Sequence, residues 1–82
     1  MNHELQEEYL KSSDISLISA ACCHGYQILN IEKQNPKRAV FVIKKDSKLD
    51  DLIRSYFSHE LKVDPLSFFN YLKEIKTQIY NT

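Results

Sequence analysis

The sequence predicts a small single α+β domain, an antiparallel β-hairpin packed with helices in the order (β)-α-β-β-α-α. Three observations lead there. Two segments rich in β-branched and aromatic residues, Tyr26 to Lys33 and Ala39 to Lys44, flank the turn-forming stretch Gln34-Asn35-Pro36-Lys37-Arg38. Stretches with apolar residues at helical spacing lie before and after this hairpin. A length of 82 residues with 43% hydrophobic content suits one core and is too short for two. One Gly and two Pro argue against a linker-like chain, and five Tyr with four Phe argue against disorder.

In chain order, residues 1–8 read as a flexible acidic tail carrying Glu4, Glu7 and Glu8, and residues 9–82 as the folded domain. Tyr9-Leu10-Lys11 is long enough only for a very short edge strand. A helix is expected from about Asp14 to His24, capped by the side-chain oxygen of Ser13 or Asp14. Ile15, Ile18 and Cys22 form its apolar stripe, widened by Leu17 and Ala21. Gly25, the single glycine, falls where a left-handed residue ends a helix, and Tyr26 is then placed to touch the last turn near Ala21.

The second hairpin strand is apolar on both faces, with Val40 and Val42 on one side and Ala39, Phe41 and Ile43 on the other. Such a strand is normally covered twice. The first helix is expected on one face, and the C-terminal helices or a second subunit on the other. Ser47 is placed to cap a helix over about Lys48 to His59, with Leu49, Leu52, Ile53, Tyr56 and Phe57 as its stripe and an Asp50–Arg54 pair on its wet side. Asp64 caps a last helix with Pro65 at its first position, running to about Tyr80. Val63 and Phe68 occupy the positions of a hydrophobic staple, and Phe68, Leu72, Ile75 and Ile79 line the inner face.

The chemistry-bearing residues exclude more than they suggest. There is no glycine-rich phosphate loop, no nucleophile elbow and no zinc-protease motif, so no enzyme activity and no cofactor are expected. Adjacent Cys22 and Cys23 point about 100° apart on a helix, which rules out an unstrained bridge between them. Their place near a helix C-terminus makes a thiolate scarce, so both read as small apolar filler. Cys22, Cys23, His24 and His59 lack the spacing of a metal site. No apolar run reaches the roughly 18 residues of a membrane span and no signal peptide is visible, so a cytoplasmic protein is expected.

Charge is distributed unevenly over a chain of zero net charge. Residues 1–31 carry −3, residues 32–48 carry +4 and the remainder carries −1. Lys33, Lys37, Arg38, Lys44, Lys45 and Lys48 therefore form a basic lobe, a possible contact for a phosphate backbone. The same lysines also serve to keep strand edges and turns solvated. The last helix holds more aromatic and apolar residues than one small core can hide. Leu66, Phe69, Tyr71 and Tyr80 are the candidate oligomer interface, and a homodimer is the expected assembly.

Ser13-Asp14-Ile15-Ser16-Leu17, His24-Gly25-Tyr26, Val40-Phe41-Val42-Ile43, Val63-Asp64-Pro65 before Phe68, and Leu72 to Tyr80 together carry a resemblance. From about Tyr9 to Tyr80 the chain resembles a family of small uncharacterised prokaryotic domains found in bacterial, phage and mobile-element sequences. The matching residues are caps, turns and core positions, so the resemblance implies a fold and transfers no activity, cofactor or binding residue. By analogy it favours binding to nucleic acid or to a host factor. The expected function is a non-enzymatic interaction or accessory protein that self-associates through its C-terminal helices. The alternative is a nucleic-acid-binding protein that uses the basic hairpin.

Overall fold

The computed structural model describes residues 8–35 and 38–81. Among them, three strands and three helices follow the expected order: β1 (Glu8–Ser12), α1 (Ile15–Cys23), β2 (Ile28–Asn35), β3 (Arg38–Lys45), α2 (Ser47–Phe57) and α3 (Pro65–Asn81). The strands form one antiparallel sheet in the order β1-β3-β2. The strand read as apolar on both faces is thus the central one. Ile43 sits between Leu10 of β1 and Ile28 of β2, and Ile31 lies opposite Phe41. β1 takes in Glu8, one residue before the expected start of the domain; residues 1–7 lie outside the described residues.

The core is built on one side of the sheet. Ala39, Phe41 and Ile43 join Leu17, Ile18, Ala21 and Cys22 of α1, Leu49 and Leu52 of α2, and Ile75 of α3 in a single cluster. Burying the Leu, Ile and Phe side chains of this cluster contributes about 1.5–3 kcal/mol each. Val40 and Val42, on the opposite row, are not in the cluster. Of the two covers expected for this second face, the C-terminal helices and a second subunit, the first is corrected: residues from all three helices pack with the odd-numbered row. Val42 is nonetheless buried, flanked by Lys11 on β1 and Asn30 on β2.

Local chemistry explains the element boundaries. The Asp14 carboxylate accepts the Ser16 and Leu17 N–H groups, both at 3.1 Å. At the other end Tyr26 N–H donates to the Ala21 carbonyl and Gly25 N–H to that of Cys22. With Gly25 at φ +96° this is a complete Schellman ending. It takes up Tyr26, which is why β2 begins at Ile28 and not at Tyr26 as the composition suggests. The strand pairing also runs further towards the turn than expected, to Asn35 opposite Arg38, with an irregularity between Lys33 and Asn35.

Two further expectations are corrected in α2. Its cap is Asp46, whose carboxylate accepts the Leu49 N–H at 2.8 Å, and Ser47 is already helical. Arg54 pairs with Asp51 and not with Asp50; the Asp50 carboxylate instead meets Lys45 Nζ at 3.4 Å. The helix ends at Phe57 in a second Schellman arrangement, with Glu60 N–H on the Ser55 carbonyl and His59 N–H on that of Tyr56. His59, with φ +67°, holds the left-handed position usually given to glycine. α3 begins as expected, with the Asp64 carboxylate accepting the Ser67 N–H at 2.8 Å.

Candidate functional site

The basic lobe read from the sequence is divided by the sheet. Side chains alternate along β3, so Lys45 lies on the core-facing side with its partner Asp50, while Arg38 and Lys44 share the outer side with Val40 and Val42. Lys33, opposite Ala39, also turns toward the helices, and its Nζ donates to the Ile79 carbonyl at 2.7 Å. That bond ties the hairpin to the last turns of α3, where a cation meets the negative end of the helix dipole. Lys48 is exposed in the first turn of α2, and Lys37 lies outside the described residues.

The outer side gains two residues that the sequence reading did not include. Tyr9 lies opposite Lys44 and Lys11 opposite Val42, so both project from β1 onto the face that carries Arg38 and Lys44. Asn30 and Glu32 come to it from β2. Lys11 Nζ reaches across to Glu32 at 3.4 Å. The missing signal was the register of β1: a three-residue apolar-polar stretch next to an acidic tail says nothing about which strand it joins.

The four apolar candidates on α3 are also divided. At about 100° per residue, Leu66, Phe69 and Tyr80 fall within an arc of about 60° on the side away from Ile75, whereas Tyr71 lies about 40° from Ile75, on the opposite side of the helix from that arc. Leu66 is 68%, Phe69 55% and Tyr80 83% exposed, against 2% for Ile75. Lys73 lies over the Phe69 ring, its Nζ 5.3 Å from the centroid. Phe57, expected in the apolar stripe of α2, is instead left exposed at the end of that helix, and Leu29 is a further exposed large apolar residue.

The concave regions are open, and their polar groups are occupied in holding the fold. A depression of about 490 Å³ is lined by Gly25, Tyr26, Gln27, Leu29, Lys44 and Asp46. There the Tyr26 hydroxyl donates to Asp46 Oδ1 at 2.6 Å, and that same oxygen caps α2. Partial burial, followed by the bond to Asp46 and the charges of Asp46 and Asp50, pushes the Tyr26 hydroxyl up to about 12. The Tyr26 hydroxyl, and after it the Leu49 N–H, hold the Asp46 carboxyl below its ordinary value. A second groove, of about 300 Å³, runs between Ala20, Tyr56, His59, Leu61, Val63 and Phe68.

Cys22 and Cys23 are unbridged, and burial raises both thiols above their ordinary value. His24 is engaged through Nε2 with the Lys62 carbonyl at 3.0 Å. Among the described residues no three His, Cys, Asp or Glu side chains gather as a metal-holding group, and no helix is long and apolar enough to cross a membrane.

No curated protein and no solved structure matches the chain. The capped helices, the three-stranded sheet and the closing helix all fall within the reach of one family model, which matches residues 7–81 and is described as "Domain of unknown function (DUF5659)". The match covers nearly the whole chain, and the protein belongs to that family.

Proposed function

We propose that the protein is a non-enzymatic interaction module that self-associates through the outward face of α3. The observation that supports this reading is the alignment of Leu66, Phe69 and Tyr80 on one side of a helix whose opposite side is already committed to the core. The three span fifteen residues, about 21 Å of helix from Leu66 to Tyr80. Apolar residues strung along a straight rod suit a second copy of the same rod in antiparallel alignment, because a two-fold axis brings the same patch to itself. Lys73 lies over Phe69, and Lys76 is exposed on the same side. Across such a seam these cations repel their symmetry mates, so salt strengthens the association.

Sedimentation velocity on the full chain across tens of micromolar tests the reading. A dimer that Phe69→Glu and Tyr80→Glu dissociate, with unchanged circular dichroism, is the expected result. A monomer throughout the range sinks it. The role in this reading is that of an accessory or regulatory protein, and the resemblance to prokaryotic, phage and mobile-element domains is what favours such a setting.

A further inference from the structure

We infer that the apolar groove where α1, α2 and α3 meet receives the Tyr80 ring of a second copy, with the His59 imidazole on its phenol hydroxyl. The inference rests on self-association through α3 and names the contact that fixes the register of that seam.

The geometry of an antiparallel seam brings the two together. Its two-fold axis crosses α3 midway between Leu66 and Tyr80, so Tyr80 of one copy arrives beside Leu66 of the other. The groove lies at that end of the helix. Val63, just before α3, and Phe68, two residues past Leu66 and about 3 Å further along the axis, line it from the α3 side. Tyr56 and His59 line it from the end of α2. Its space, about 300 Å³, has room for one aromatic side chain.

The seam also needs more surface than α3 supplies. A fully buried aromatic side chain accounts for about 150–250 Å². Leu66, Phe69 and Tyr80, each already partly covered, therefore fall short of the about 800 Å² per partner of an ordinary stable interface. Tyr80, 83% exposed, has the most to gain from a concave site.

His59 singles out the groove. It holds a φ of +67° at a helix end where glycine is free of strain. Such strained positions cluster where a side chain serves a function. His59 is exposed, and an imidazole nitrogen suits a phenol hydroxyl that must keep a partner once its ring is buried. The other polar side chain on the groove, Tyr56, directs its hydroxyl to Asp14 Oδ1 at 3.5 Å.

Sedimentation velocity on the full chain compares the native sequence with His59→Gly, Tyr80→Phe and the double variant. Each single change is expected to weaken the dimer about tenfold, through two symmetry-related hydrogen bonds, and the double variant no further than either alone. At a dilution where the chain is monomeric, His59→Gly is expected to raise the thermal midpoint, so its weaker dimer does not reflect unfolding. The sequence has no Trp, and Tyr80→Trp therefore carries the single indole. Its emission is expected to move to the blue as the dimer forms, and to stay red when Phe69→Glu is added.

A dimer that Phe69→Glu dissociates while His59→Gly and Tyr80→Phe leave it intact overturns the groove contact and keeps the α3 seam. Additive losses in the double variant overturn it as well, since the two residues then act in separate contacts. So does a Tyr80→Trp emission that stays red in the dimer. A monomer at every concentration removes the seam and the groove contact together.

Discussion

α1 and α3 face each other across the helical layer and use their residues in opposite ways. α1 has nine residues, and an unbroken run of six, Leu17 to Cys22, is buried. α3 has seventeen, of which Ile75 is the one counted in the buried core. The sheet takes one side of α1, while α3 and to a lesser extent α2 take others, so little of α1 reaches water. Such a helix needs small residues where neighbours press close, and Ser19, Ala20 and Ala21 provide them. The Ser19 hydroxyl is satisfied within the helix, donating to the Ile15 carbonyl at 2.7 Å. α3 instead rests one edge on the domain and leaves its far side to solvent or to a partner. The contrast teaches that the more amphipathic helix of the two marks the boundary of a small domain, while its centre is a short helix of low contrast.

The largest expected effect tests that ranking. Ile18→Ala removes a side chain with no exposure and is expected to cost about 2–5 kcal/mol, enough to unfold much of so small a domain. Leu66→Ala on the outward face of α3 is expected to stay within about 0.5 kcal/mol. Denaturant unfolding of both variants checks the pair, and comparable losses would break the comparison. Asp14→Ala removes the carboxylate that caps α1 and is expected to cost about 1 kcal/mol by the same measurement.

The ends of the helices sharpen the contrast further. α1 ends on Gly25 and α2 on His59, both at positive φ, although only glycine takes that conformation without steric cost. His59→Gly is expected to stabilise the domain by about 0.5–1 kcal/mol, read as a higher thermal midpoint. A loss of stability on that substitution would show that the imidazole contributes more than its backbone conformation costs.

The smallest effect at neutral pH belongs to the Tyr26–Asp46 bond, which joins the end of α1 to the start of α2. The folded Tyr26 hydroxyl, at about 12, lies above its ordinary value of 10.0. Its contribution is therefore fully present below pH 10.0 and is lost as pH rises through about 12. The Asp46 carboxyl is lowered from 3.8, so its contribution is present above that value and lost as pH falls through the lower folded one. Tyr26→Phe is expected to unfold with a shallower alkaline limb than the native chain, measured by denaturant midpoints on either side of pH 10.0. Identical alkaline limbs would contradict this account.

How much was legible in the sequence followed the range of the forces involved. Caps and stops depend on contacts within five residues, so Gly25, Asp64 and Pro65 could be read directly and the α1 cap narrowed to Ser13 or Asp14, of which Asp14 is the one used. The Asp46 cap was displaced by one residue because Ser47 is equally competent chemically and only the entry angle of the chain separates them. Arg54 was assigned to Asp50 because i,i+4 spacing is favourable, whereas β3 delivers Lys45 to Asp50 and leaves Arg54 to Asp51. The candidate surfaces suffered most from such non-local effects. Lys33 and Lys44 are equivalent as charges in a sequence, yet one is bonded to the Ile79 carbonyl and the other projects from the outer face of the sheet.

By itself, then, the sequence determined the α+β class, the order of six elements, the start of α3 at Asp64 and the apolar rows, because each rests on periodicity or on hydrogen bonds between near neighbours. The tertiary structure alone decided that β1 pairs with β3, that α1 is the buried centre, and which lysines share a face. Those outcomes depend on strand register and on the direction in which helices return across a sheet. A shift of one residue in register moves every side chain of a strand to the other face while leaving its composition unchanged.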